Sequence, residues 1–65
     1  MKTYTFTDSS WITGARYDEQ TGDLTVFVGK GREYTFRGVP PEVVEDLASS
    51  SSKGQFFNQQ LKGNY

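Results

Sequence analysis

The chain contains neither cysteine nor histidine. Without cysteine there is no disulfide to staple a small fold and no thiol for nucleophilic or redox chemistry. Without histidine there is no side chain whose ordinary titration lies near neutrality, and the commonest metal ligand is missing too. Proline occurs only as the pair Pro40-Pro41, and no apolar run exceeds Val26-Phe27-Val28. A signal-peptide core or a membrane-spanning helix needs a far longer one. Neither sign of charge dominates, since seven basic and eight acidic side chains leave a formal net charge of −1. These absences exclude most enzyme classes and all secreted disulfide scaffolds. A soluble, cytoplasmic, non-enzymatic protein is the expectation that remains.

What is present is one domain's worth of chain: 65 residues, 34% of them hydrophobic. So short a domain buries only about 60% of the surface its unfolded chain exposes. Five Phe, four Tyr and one Trp therefore carry unusual weight, because each large ring removes roughly 150–250 Å² from water. Core packing is the first explanation for any one of them.

The hydrophobic period is 2 in the first half. Residues 2–7 place Tyr4 and Phe6 on one face and threonines on the other, and Asp8-Ser9-Ser10 reads as a turn. Trp11 to Tyr17 reads as a second strand, with Gly14 marking a bulge or a close backbone approach. Gly22 ends the following turn with a positive φ. Leu24, Val26 and Val28 alternate in a third strand, and Gly29-Lys30-Gly31 turns it into a fourth, where Tyr34 and Phe36 share a face. An antiparallel meander of three or four strands over residues 1–38 follows.

At Val39-Pro40-Pro41 the period changes. Pro41 suits the first turn of a helix, where its missing N–H is not needed. Val43, Val44 and Leu47 then form one apolar stripe, with Glu42, Glu45 and Asp46 opposite. Ser49–Ser52 reads as a loop between helices. Ser52-Lys53-Gly54-Gln55 fits a capping box, Phe57 and Leu61 follow at i and i+4, and Gly63 fits a stop. The expected fold is α+β: the meander, then a helical hairpin over residues 39–65.

Few residues offer chemistry. Ser52 and Lys53 are adjacent, so their side chains diverge on a helix and do not make a nucleophile and its base. Asp18, Glu19 and Asp23 flank a turn, where acids are common for backbone reasons, and the alternating spacing of a calcium loop is missing. Gly29-Lys30-Gly31-Arg32 resembles an anion cradle but joins strand to strand, whereas a P-loop joins strand to helix. The last segment is more suggestive. Residues 50–65 carry Lys53 and Lys62 and no acid, and Ser52, Lys53 and Gly54 combine a hydroxyl, a cation and a residue without Cβ at a helix start. Such a start is an anion site, to which Asn58 can add an amide; the plainer explanation is an ordinary capped helix. On this reading Lys53 is exposed, and Lys53→Glu weakens binding without touching the fold, with Lys2→Glu as the charge control.

A set of residues in fixed order supports a comparison. They are Ser9-Ser10, Tyr17-Asp18, Gly31-x-x-Tyr34-x-Phe36 and Val39-Pro40-Pro41-Glu42. The set closes with Ser52-Lys53-Gly54-x-x-Phe57-Asn58-x-x-Leu61-x-Gly63-x-Tyr65. In order and spacing the chain resembles the KTSC domain, a module found at the C-terminus of some lysyl-tRNA synthetases and as a stand-alone bacterial or phage protein. The family usually has Tyr-x-Tyr where this chain has Tyr34-x-Phe36, so one hydroxyl is missing. The synthetase context implies RNA binding.

A net charge of −1 and a pI near 5.1 are not the footprint of a general nucleic-acid binder, so any such site is local. Lys30, Arg32, Lys53 and Lys62, with rings such as Tyr34 or Trp11, are suited to stack and hold a single-stranded or nucleotide ligand. The expected function is a non-enzymatic binding module for a phosphate-containing ligand, RNA first. Its expected site residues are Ser52, Lys53, Gly54, Asn58, Lys62, Tyr34 and Arg32. A homo-oligomer that sequesters a small nucleotide, as a phage protein would, is the second expectation. A protein-interaction module using an open sheet edge is the third. No cofactor, metal or membrane partner is expected.

Overall fold

The computed structural model describes residues 1–7 and 11–65; the turn expected at Asp8-Ser9-Ser10 lies outside them. Four strands, β1 (Lys2–Thr5), β2 (Ile12–Asp18), β3 (Asp23–Val28) and β4 (Arg32–Phe36), form one antiparallel sheet in the order β1-β2-β3-β4. The first strand is the expected extra edge. It is shorter than its alternating pattern, although the Phe6 amide still donates to the Thr13 carbonyl at 3.0 Å.

Gly14 solves a problem in β2. Ile12 and Ala15 are both fully buried, although residues three apart on a regular strand point to opposite faces. Between Ile12 and Gly14 the register against β3 slips, from Ile12↔Val28 to Gly14↔Phe27. This bulge inserts one residue and returns Ala15 and Tyr17 to the core face. A Cβ at Gly14 would lie 2.7 Å from the Tyr4 carbonyl oxygen, so only glycine lets β1 pair this closely. Both sequence expectations for Gly14, bulge and close approach, hold together.

Val39 closes the sheet half. The tip of the β2–β3 turn, Gly22 at φ +80°, meets this segment from the other side. The Val39 amide donates to the Gly22 carbonyl at 3.0 Å, and the Tyr17 hydroxyl donates to the Val39 carbonyl at 2.6 Å. Both backbone groups of a buried residue are thus satisfied, as burial demands. The chain then enters α1 (Pro41–Ser49), with Pro41 at its first position. Val44 and Leu47 are buried and the three acids are exposed, as the stripe predicts.

The last element departs from expectation. No side-chain hydrogen bond caps α2 (Lys53–Phe56) at Ser52, so the capping box does not form. The Ser50 hydroxyl organises the loop instead, donating to the Ser52 carbonyl at 3.0 Å and accepting from the Ser52 amide at 3.2 Å. After one α turn the helix widens into a π turn, Phe57–Leu61, closed by the Lys62 amide on the Phe57 carbonyl at 2.9 Å. Phe57 and Leu61 are nevertheless both buried, and Gly63 takes φ +87° beyond the end.

Both helices pack on one face of the sheet, where Leu24, Val26, Val28, Phe36, Val44, Leu47, Phe57 and Leu61 share a single core. Phe57 is 3% exposed, and its ring centroid lies 5.3, 5.4 and 5.5 Å from those of Trp11, Tyr34 and Phe36. Phe57→Ala is expected to cost roughly 3–5 kcal/mol, comparable to the whole stability of so small a domain. Thermal melts followed by circular dichroism check this. An unchanged melting curve would mean that the helix is not seated through this ring.

Candidate functional site

Two large rings remain half open to solvent over this core: Trp11 is 40% exposed and Tyr34 44%. Their positions follow from the sheet. Tyr34 stands on the core face of β4, opposite Val26, but β4 is an edge strand, so one side of the ring stays uncovered. Trp11 immediately precedes β2 and meets Phe57 nearly edge-on, with an interplanar angle of 87°. Phe57 therefore supports both exposed rings from below.

Two hollows border this pair. The larger, about 510 Å³, is lined by Trp11, Val28, Gly29, Lys30, Arg32 and Tyr34. The smaller, about 240 Å³, is lined by Trp11, Tyr34, Phe36, Phe57, Asn58 and Lys62. Together they make one cleft with Trp11 and Tyr34 as its common wall. Lys30 is brought to the rim by the β3–β4 turn, where it takes φ +67°, and Arg32 by the strand that follows. Lys62 and Asn58 arrive from the far end of the chain. Among the described lining residues there is no carboxylate. Three exposed acids, Glu42, Glu45 and Asp46, stand on α1.

Of the residues expected to bind ligand, Arg32, Tyr34, Asn58 and Lys62 converge on this cleft, joined by Lys30 and Trp11. Ser52, Lys53 and Gly54 do not. Ser52 borders a shallow Ser/Gln hollow of about 160 Å³ with Gln55 and Gln59. Lys53 is only 5% exposed, which corrects the expectation of a free cation. Its ammonium donates to the Ser50 carbonyl at 2.7 Å and lies 5.0 Å from the Phe6 ring centroid. The carbonyl and the ring face stabilise a charge that burial would otherwise penalise.

Gly54 has a different explanation as well. A Cβ there would lie 3.1 Å from Cε3 of Trp11, so the missing side chain makes room for the indole rather than for an anion. Phe36, which stands where the family usually has a second tyrosine, is 8% exposed and packs against Phe57. Its ring packs in the core and also lines the smaller hollow. The pairing of Trp11 with Gly54 left no local signal in the sequence, because the two are far apart along the chain. Among the described residues no group of acids could hold a metal ion, and no helix is long and apolar enough to cross a membrane.

Comparison with known proteins places this geometry in a family. The model of the KTSC domain matches residues 8–65. A lysine–tRNA ligase of Nostoc punctiforme is 40% identical over 58 residues, which are 89% of this chain and 10% of that protein. The chain thus spans about a tenth of the length of the ligases it matches. An uncharacterised protein of Stutzerimonas stutzeri is 39% identical over 83% of this chain and 76% of its own length. The crystal structure of a KTSC domain protein from Yersinia pestis superposes with a TM-score of 0.87 at 28% identity, covering 97% of this chain and 87% of that one.

The burial of Lys53 reverses one expectation about mutants. Lys53→Glu sets a carboxylate against the Ser50 carbonyl and is expected to destabilise the fold by roughly 3–5 kcal/mol. Lys53→Met keeps most of the stem and should lose about 1.5–3 kcal/mol with the charged hydrogen bond. Lys2→Glu, at an exposed pair with Glu45 (3.7 Å), should shift stability by less than about 1 kcal/mol. Urea melts of the three variants check the order; equal stability of Lys53→Glu and Lys2→Glu would place Lys53 at the surface.

Proposed function

This chain belongs to the KTSC domain family, and from that membership together with its cleft we propose that it is a non-enzymatic module binding a phosphate-containing ligand, single-stranded RNA first. One observation carries the reading. Two half-exposed rings, Trp11 and Tyr34, border two hollows, one lined also by Lys30 and Arg32 and the other by Lys62. Rings of this kind stack bases of any sequence, and flanking cations neutralise phosphates. The face of β4 on which Tyr34 stands is open at the sheet edge, so a strand can pass along it without entering a closed pocket.

The lysine–tRNA ligase relatives supply an RNA context for the module, and RNA is preferred on that ground. A small nucleotide is the second reading, favoured by the larger hollow, whose volume of about 510 Å³ lies in the range of small-molecule sites. Binding rather than catalysis fits a chain without histidine or cysteine. A cytoplasmic location belongs to the same proposal.

Trp11 is the one tryptophan, so its fluorescence reports directly on the cleft. Titration with polyuridylate is expected to quench it. The affinity should fall with salt at a slope of about −2, the release expected for three cations on a single strand. Arg32→Glu and Lys62→Glu should each weaken binding more than about tenfold, since each replaces attraction with repulsion, while Lys2→Glu on the opposite edge strand should not. Equal losses for all three would reduce the effect to net charge. Native mass spectrometry of the freshly purified protein distinguishes the second reading, through a retained small nucleotide and the number of copies that share it.

A further inference from the structure

Resting on that reading, we infer that the cleft is a pair of adjoining subsites that takes two successive nucleotides of one strand. The division is visible in the lining. Trp11 and Tyr34 belong to both hollows, and everything else belongs to one. The larger hollow has two cations, Lys30 and Arg32, and the exposed backbone of the β3–β4 turn beside them. The smaller has the aromatic floor of Phe36 and Phe57, a carboxamide from Asn58 and one cation, Lys62.

These linings call for different parts of a ligand. An apolar floor with a carboxamide, which both donates and accepts, matches the faces and edge of a base. Two adjacent cations, one of them a guanidinium, match a phosphate and the sugar attached to it. Lys62 lines the smaller hollow and Lys30 and Arg32 the larger, so a ligand that satisfies all three must bring a phosphate to each hollow around a stacked base. A nucleoside monophosphate has one phosphate group and serves one hollow. A 5′-phosphorylated dinucleotide has two and serves both, with the second contact made as an intramolecular step.

Trp11 also covers Gly54, at the 3.1 Å approach a Cβ would have. The shared wall is therefore packed on the C-terminal helix on one side, and that contact sets the spacing between the two hollows. Fixed spacing is what makes two subsites read adjacent nucleotides and not any two.

The test compares adenosine monophosphate, 5′-phosphorylated diadenylate and hexaadenylate by Trp11 fluorescence. The dinucleotide is expected to bind at least tenfold more tightly than the monophosphate, and the hexamer no more than about threefold more tightly than the dinucleotide. Lys62→Gln should lower dinucleotide affinity by about tenfold and monophosphate affinity by no more than about threefold, whereas Arg32→Gln should lower both by about tenfold; urea melts establish that each variant is folded. Equal affinity for monophosphate and dinucleotide overturns the two-subsite inference and leaves nucleotide binding standing. A further tenfold rise from dinucleotide to hexamer also overturns it, in favour of a longer track. No binding of any of the three, with polyuridylate also inert, overturns both the inference and the reading beneath it.

Discussion

Everything in the C-terminal half depends on where the Phe57 ring goes. It fills the space between Trp11, Tyr34 and Phe36, with centroid separations of 5.3–5.5 Å, inside the range in which aromatic pairs attract beyond their buried area. The helix that carries it has one α turn and one π turn, too little to be stable on its own. Its geometry is held by tertiary packing. The same ring supports the two exposed aromatics from beneath, so the core contact and the cleft wall are one structure. Burying Phe57 is what leaves Trp11 and Tyr34 packed on one side and presented on the other.

Two further devices bring distant parts of a small chain into register. Gly14 permits the approach of Tyr4 and, through the bulge, turns Ala15 and Tyr17 inward. Tyr17 then reaches the Val39 carbonyl, while Gly22 accepts from the Val39 amide. One residue at the junction of sheet and helix is thus gripped from both the strand and the turn. With no disulfide available, a domain of this size relies on such satisfied polar contacts around a few large rings. Lys53 belongs to the same set: its ammonium joins the loop at Ser50 to Phe6 near the first strand.

The cleft was only partly legible beforehand, for physical reasons. Arg32, Tyr34, Asn58 and Lys62 were expected to bind and line the two adjoining hollows, whose described lining residues include no carboxylate. The triplet Ser52-Lys53-Gly54 was read as a helix start built for an anion, because a hydroxyl, a cation and a glycine in succession have that local chemistry. In the fold the hydroxyl makes no cap, the cation is inside and the glycine lies beneath an indole. For Lys53 and Gly54 a partner remote in sequence, Phe6 or Trp11, takes part in the explanation.

By itself the sequence determined the strand alternation, the proline entry to α1, the apolar stripe of Val44 and Leu47, and the positive-φ positions at Gly22 and Gly63. All of these depend on side-chain period, ring closure or the absence of a Cβ, properties that act within about four residues. The tertiary structure alone decided that Lys62 is a surface cation and Lys53 a buried one, and that Trp11 rather than a ligand covers Gly54. Packing of Phe57 on the sheet near Tyr34 and Phe36 was expected and is found; its edge-on contact with Trp11 came from the fold alone. Burial is set by what the rest of the chain brings alongside, and for these residues the neighbours are Phe6, Ser50, Trp11 and Tyr34. No local pattern holds that information, because the sheet must first fold before those groups come together.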